Sequence, residues 1–144
     1  ELAEIITRTT GAQSAEVLSS ADADTVRRMS ALIPEVLIAD DVLQTALRLV
    51  RATHPDADEA PLRVRQYVRY GASPRGAQSL VLGAKARALT SGRYHVSFED
   101  IRAMAHPVLR HRVLVNFRAE SEGVSTDAII DELLERVPVP ASGM

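Results

Sequence analysis

The sequence predicts a small, mainly α-helical bundle with one or two very short β-strands, and three observations support this. The apolar fraction is 46% but only 3% of residues are aromatic, so the core is built from Leu, Val, Ile and Ala, which suits packed helices. Apolar residues recur at helical spacing along most of the chain. Capping residues and prolines stand where those periodic stretches begin and end.

The first third of the chain predicts three helices. Residues 1–9 are the first, and the small, polar residues 10–21 indicate a linker. Asp22 or Asp24 caps the second, which Pro34 ends, and Asp40 caps a third over about residues 41–53. The apolar stripes expected for these helices are Leu2, Ile5 and Ile6; Val26, Met29, Leu32 and Ile33; and Leu43, Ala46, Leu47 and Val50.

The middle of the chain holds the clearest helix. After an acidic loop over 55–61, residues 61–70 fit either a short helix or an extended stretch, and a short helix is favoured. Ser73 at the N-cap and Pro74 at the first helical position then open a helix that runs to about Ser91 and ends at Gly92. Its expected buried stripe is Ala77, Leu80, Val81, Ala84 and Ala88.

The last third predicts three more helical segments. Ser97 and Asp100 resemble a capping box opening a helix that runs from about residue 98 into a kink at His106-Pro107. Residues 117–122 form a helical turn, and Ser125 caps the final helix, with Pro138 and Pro140 closing the chain. The inward residues of that last helix are Ile129, Ile130, Leu133, Leu134 and Val137. Three β-prone runs lie at 36–38, 94–96 and 113–115, and the first two can pair.

Several function classes lack their motifs. There is no Cys, which excludes disulfides and thiolate metal sites, and the four His are scattered, so no metal site is expected. Neither a phosphate loop nor a Gly-x-Ser-x-Gly elbow occurs. No apolar run is long enough for a membrane span and no signal peptide is visible, which predicts a cytoplasmic protein. The first residue is Glu1, which indicates a piece of a longer chain.

The charge is unevenly distributed. Residues 61–118 hold 11 Lys or Arg and 2 Asp or Glu, a net charge of +9, whereas the flanking segments 1–60 and 119–144 carry −6 and −5. Such a block indicates an anion site, a nucleic-acid footprint or a face for an acidic partner. The remaining interpretation is a solvated surface that the acidic ends offset in the fold.

Two motifs carry a family resemblance. Residues 70–76 read Tyr-Gly-Ala-Ser-Pro-Arg-Gly at the start of the long helix, and residues 106–112 read His-Pro-Val-Leu-Arg-His-Arg. Together they resemble the second-sensor region of MoxR-type AAA+ ATPases, which are related to magnesium chelatase subunits. The resemblance extends over nearly the whole chain and implies a helical AAA+ lid at 21–140, preceded by a core or hinge helix with its linker at 1–20 and followed by a tail at 141–144.

The resemblance also implies a function for the full-length protein. It would be a cytoplasmic, hexameric ATPase that binds ATP and Mg²⁺ and remodels client proteins, with the lid contacting the core of its own chain and of neighbouring subunits. The family's phosphate loop and magnesium-binding acids are not in this sequence, so this fragment is expected to be inactive alone and to hold no cofactor. A client protein and its pathway are not named by any motif.

Arg75 is the residue to which the family assigns a role at the ATP phosphates, with Ser73 and Pro74 beside it. Ser73 and Pro74 place Arg75 in the first helical turn, where free N–H groups and the helix dipole already favour anions. A guanidinium there offers a permanently charged fork for phosphate oxygens. The resemblance implies that Arg75 reaches the γ-phosphate and contributes to hydrolysis; the plain alternative is a surface salt bridge.

The other basic residues allow less specific hypotheses. Arg110, His111 and Arg112 are candidates for an interface with a neighbouring subunit or for the cleft lining, or are simply solvated cations at a helix C-terminus. Arg63, Arg65 and Arg69 add to the positive field without an individual role. The alternative to a lid is a free-standing helical module that binds protein or nucleic acid. Nucleic acid is not expected, because few aromatic residues accompany the basic block and no helix-turn-helix spacing is evident.

Overall fold

The structure is a computed structural model that describes residues 1–11 and 19–137. Within these ranges it contains eight helices: α1 (Leu2–Thr10), α2 (Ala23–Leu32), α3 (Asp40–Arg51), α4 (Leu62–Tyr67), α5 (Pro74–Thr90), α6 (Phe98–Leu109), α7 (Phe117–Glu122) and α8 (Thr126–Arg136). Strands β1 (Val68–Tyr70) and β2 (Leu114–Val115) form one small sheet. The predicted mainly α-helical class is confirmed. The proposed tail 141–144, Pro138, Pro140 and most of the proposed linker lie outside the described residues.

The chain divides into two compact units after Ser30. The first unit contains α1 and most of α2, and neither helix has a buried residue. Asp22 accepts a hydrogen bond from the Thr25 N–H at 2.7 Å, so Asp22 rather than Asp24 caps α2. Leu2, Ile5 and Ile6, the apolar stripe expected for α1, are each more than half exposed.

The second unit contains one aliphatic core between α3, α5, α6 and α8, with α4 against α7 and α8. Leu80, Ala84 and Ala88 of α5 are fully buried, as the predicted stripe requires, while Ala77 and Val81 are partly buried. The other side chains with almost no exposed surface include Ala46, Leu49, Val64, Ile101, Ala105, Leu109, Ile129, Ile130 and Leu133. None of the helices in the described ranges has the length and apolar character that crossing a membrane requires.

The predictions for α3 are partly wrong. Its N-cap is Ala39, and Asp40 is already inside the helix, where it lies in the first turn with Asp41. The buried residues are Val42, Thr45, Ala46, Leu49 and Val50, whereas Leu43 and Leu47 are only partly buried. Apolar residues occupy more than one face of this helix, so their spacing alone did not select the face that meets the core.

The extended segments pair differently from the expectation. Residues 61–70 form both a short helix, α4, and a strand, β1, which pairs antiparallel with β2. The expected pairing of 36–38 with 94–96 is present only as a single parallel bridge between Leu37 and His95. The last helical segments begin as predicted, since Ser125 accepts the Ala128 N–H at the start of α8, and α6 continues through Pro107 to Leu109.

A buried carboxylate joins α5 to α6. Gly92, with φ 73°, ends α5 in a Schellman turn in which the Arg93 N–H bonds to the Ala88 carbonyl at 2.9 Å. This turn directs Arg93 to Asp100, and the two side chains form a bidentate pair with both N–O distances at 2.7 Å. Arg87 of α5 donates to the same carboxylate.

Asp100 is also the acceptor of the predicted capping box. Its Oδ2 accepts the Ser97 N–H and the Ser97 hydroxyl, each at 2.9 Å, and the capping box at the start of α6 is confirmed. Hydrogen bonds from Arg93, then from Ser97 and Arg87, hold the pKa of the fully buried Asp100 well below its usual range. Because the folded-state pKa is lowered, the stabilisation is present above the unfolded-state pKa near 4 and is lost as the pH falls below it.

We therefore expect Asp100→Asn to lower the free energy of unfolding at pH 7 by about 2 to 3 kcal/mol, because charge-assisted hydrogen bonds are lost. The variant should also lose less stability than the wild type between pH 6 and pH 3, as measured by urea denaturation followed by circular dichroism. The control is Glu99→Gln, which removes an exposed carboxylate from the same helical turn and should change stability by less than about 0.5 kcal/mol. Parallel pH profiles for wild type and Asp100→Asn would contradict this account.

Candidate functional site

Arg75 lies in the first turn of α5 with an exposed side chain. Ser73 is the N-cap residue and Pro74 is at the first helical position, as predicted. The Ser73 side chain makes no capping hydrogen bond, so its hydroxyl accepts no hydrogen bond from the backbone amides of the first turn. Within residues 1–11 and 19–137, none of the ion pairs or side-chain hydrogen bonds includes Arg75.

The backbone in front of Arg75 is held by the turn that follows α3. The Thr53 hydroxyl accepts the Ala72 N–H at 2.9 Å and donates to the Val50 carbonyl at 2.5 Å. The His54 Nε2 donates to the Ala72 carbonyl at 3.0 Å. Thr53 and Ala72 are both fully buried, so these bonds satisfy polar groups that water does not reach.

Two glycines allow close approach around this segment. A Cβ atom at position 71 would lie 2.7 Å from Thr53 Oγ1 and 2.8 Å from both His54 Cγ and the Thr53 carbonyl carbon. A Cβ atom at position 76 would lie 3.1 Å from the Ala72 Cβ and 3.5 Å from the Arg112 Cδ. The absence of side chains at both positions therefore lets Thr53, His54 and Arg112 contact the start of α5 directly.

The three interface candidates after α6 lie in different environments. Arg112 is partly buried against α5, with donors 2.7 Å from the Val108 carbonyl and 3.2 Å from the Ser79 hydroxyl. Arg110 forms an ion pair with Asp127 of α8 at 3.2 Å. His111 is exposed and its ring contacts the Arg112 guanidinium. The structure thus brings Arg112 close to the start of α5 and directs Arg110 to α8.

The three arginines near β1 also have different contacts. Arg63 pairs with Glu132 of α8 at 3.4 Å, and the Arg69 guanidinium lies 5.2 Å from the centroid of the Tyr70 ring. Arg65 donates to the carbonyls of Ala60, Ala57 and Asp58 at 2.9 to 3.0 Å, and so stabilises the acidic loop. All three guanidinium groups therefore contact other groups of the same domain.

A groove of about 390 Å³ lies elsewhere, between α4 and α8. It is lined by Leu62, Arg63, Ala128, Asp131, Glu132, Glu135 and Arg136, and contains none of the predicted site residues. Two of its three carboxylate residues have partners of their own, since Glu132 pairs with Arg63 and Asp131 lies 3.0 Å from the His106 Nε2. The start of α5 remains the candidate functional site.

Comparison with known protein families decides the assignment. The model of the AAA lid domain family matches residues 60–133, slightly more than half of the chain. This chain belongs to the AAA lid domain family. The matched segment begins just before α4 and ends within α8, so it includes the start of α5 with Arg75.

Relatives of this AAA lid are MoxR proteins. The chaperone MoxR1 of Mycobacterium tuberculosis is 28% identical over 139 residues, which are 95% of this chain and 36% of that protein. The protein MoxR of Paracoccus denitrificans is 39% identical over 77 residues, 52% of this chain and 22% of that protein. A crystal structure of a candidate ATPase from Cytophaga hutchinsonii superimposes with a TM-score of 0.85 at 31% identity, over 97% of this chain and 43% of that chain.

This AAA lid therefore spans about a third or less of the curated MoxR proteins named above. The resemblance first indicated by residues 70–76 and 106–112 is confirmed at the level of the family. The roles of Arg75, Ser73, Pro74 and the three interface candidates stay predictions, as do the domain limits proposed from the sequence.

Sequence reasoning missed the residues that hold the site. Thr53 and His54 lie in the turn that follows α3 and belong to no recognised motif, although a Thr-His pair before Pro55 and a Gly at position 71 are visible in the sequence. Neither signal indicates that the two segments meet, because they are 18 residues apart. Asp100 was likewise interpreted only as part of a helix cap, and its pairing with Arg87 and Arg93 was not predicted.

We expect Gly71→Ala to lower the free energy of unfolding by about 1 to 3 kcal/mol, because the added methyl group overlaps the Thr53 hydroxyl and carbonyl carbon and the His54 ring. Gly83→Ala in the middle of α5 is the control. The three atoms nearest its Cβ all belong to the flexible Met104 side chain, and Ala is favoured over Gly in a helix by about 1 kcal/mol, so this variant should be at least as stable as the wild type. Chemical denaturation measures both, and equal effects would rule out a close approach at position 71.

Proposed function

We propose that this chain is the lid of a MoxR-type AAA+ ATPase and that Arg75 is its sensor arginine. The full-length protein would bind ATP and Mg²⁺ through an AAA+ core, and Arg75 would reach the γ-phosphate from the lid. The observation that carries this proposal is the exposed Arg75 guanidinium in the first turn of α5, free of carboxylate partners among the described residues and standing on an anchored helix start.

The chemistry of phosphoryl transfer favours such a group. Negative charge on the transferred phosphoryl oxygens has to be stabilised in the transition state, and catalysis rests mainly on positioning and electrostatics. The planar guanidinium of Arg75 can donate two parallel hydrogen bonds to phosphate oxygens, and the α5 dipole adds to the field. The Ser73 hydroxyl, which makes no cap bond, is available to the same anion.

The lid would couple hydrolysis to movement. We propose that it contacts the core of its own chain and of neighbouring subunits in a hexameric cytoplasmic ring, and that Arg110, His111 and Arg112 contribute to such an interface. The name of the Mycobacterium tuberculosis relative, a chaperone, supports remodelling of client proteins as the use of that movement. Arg75 would then link the state of the nucleotide to the position of the lid.

A nucleic-acid-binding module has less support. In the folded domain Arg87 and Arg93 bond to the buried Asp100, and Arg65 bonds to loop carbonyls. Their hydrogen bonds within the domain compete with the phosphate contacts that give nucleic-acid binders their affinity. The net charge of the segment therefore overstates the positive surface.

We expect Arg75→Ala in the full-length protein to lower ATP turnover at saturating Mg·ATP at least about tenfold, since one lost transition-state contact costs 1.4 kcal/mol or more. Arg75→Lys keeps the charge but not the fork, and should be intermediate. Phosphate release measures turnover, and sedimentation shows whether assembly is unchanged.

The matched control for Arg75 is Arg136→Ala, which removes an exposed arginine from the last turn of α8. Its turnover should equal that of the wild type. Normal turnover in Arg75→Ala, with assembly intact, would remove Arg75 from the mechanism.

A further inference from the structure

We propose that Thr53 and His54 are positioning residues for Arg75, and this inference rests on the proposed function of Arg75. Both polar backbone groups of Ala72 are bonded by these consecutive residues, the N–H by the Thr53 hydroxyl and the carbonyl by the His54 ring. Ala72 lies three residues before Arg75. The turn that follows α3 thereby determines where α5 begins and in which direction its first helical turn points.

The contact acts on the start of α5 and not on the whole helix. Further along α5, Leu80, Ala84 and Ala88 are fixed in the core, and Arg87 is held by Asp100. A 17-residue helix anchored in this way still has a first turn that frays unless its own backbone is held. The bonds to Ala72 supply that restraint where Arg75 is attached.

The chemistry of Thr53 makes it hard to replace. Its hydroxyl donates to Val50 and accepts from Ala72, so both functions of one O–H group are used. Valine has the same shape but can do neither, and would leave the buried Ala72 N–H without a partner. Serine keeps the hydroxyl and loses only a methyl group.

A displacement of this segment would lower the rate of ATP hydrolysis. Misplacing a catalytic group by about 1 Å can cost up to about 100-fold in rate. The γ-phosphate contact made by Arg75 therefore depends on how Thr53 and His54 hold Ala72. Thr53 and His54 do not touch the nucleotide in this account and act only through Arg75.

The test uses the full-length protein and steady-state ATP hydrolysis. Thr53→Val should lower kcat about tenfold, and Thr53→Ser should restore it to within about twofold of the wild type. The matched control is Thr45→Val, a buried threonine within α3 whose hydroxyl bonds to Asp41 and Arg48 and not to Ala72. Thr45→Val should leave kcat within about twofold of the wild type.

A double-variant cycle separates positioning from general damage. If Thr53 acts through Arg75, adding Thr53→Val to Arg75→Ala should cause no further loss of kcat. An equal additional loss in both backgrounds would overturn the proposal. If Thr53→Val does not fold, the test uses His54→Ala, because His54 is exposed and its replacement leaves the core intact. His54→Ala should lower kcat about threefold in the wild-type background and cause no further loss of kcat in the Arg75→Ala background.

Hydrogen exchange supplies a readout that does not depend on ATP. Thr53→Val should abolish the protection of the Ala72 amide, and Thr45→Val should preserve it. Normal kcat in Arg75→Ala would refute the proposed function, whatever the exchange result. A slow Arg75→Ala with normal kcat in both Thr53→Val and His54→Ala would refute only the positioning role.

Discussion

The carboxylate of Asp100 is the interaction on which the arrangement of the domain depends. It is fully buried at the start of α6, and it accepts hydrogen bonds from Arg87 of α5 and from Arg93 in the turn that follows α5. A buried charge without such donors would carry a large desolvation cost. Aliphatic side chains of similar volume can repack against one another, whereas the hydrogen bonds to this carboxylate require one geometry. For this reason α5 and α6 pack in a single register.

Different chemistry holds the two ends of α5. Near its C-terminus the Schellman turn at Gly92 and the hydrogen bonds to Asp100 join it to α6. At its N-terminus the Thr53 and His54 bonds to Ala72 join it to the turn that follows α3. Arg75 is thus a long, exposed cation on a fixed base. That combination suits recognition of an anion, because the helix does not have to become ordered when the anion binds.

The fold also changes the meaning of the charge pattern. The segment 61–118 carries a net charge of +9, but Arg65, Arg87, Arg93 and Arg112 are used to hold loops and helix ends in place. A strongly basic segment is here mainly a set of internal hydrogen-bond donors to carbonyls and carboxylates. Arg75 differs from these because its exposed side chain makes no such contact with any of the described residues.

The sequence by itself determined where most helices begin and end and placed Arg75 in the first turn of α5. Caps such as Ser97, Ser125 and Gly92 act on backbone groups within four residues, so their effect is local and visible in the chain order. Only the tertiary structure decided which face of α3 is buried, that β1 pairs with β2, and that Thr53 holds Ala72. Those contacts join residues far apart in the chain. They depend on how side chains pack together while buried polar groups find hydrogen-bond partners, and local residue spacing carries no information about this.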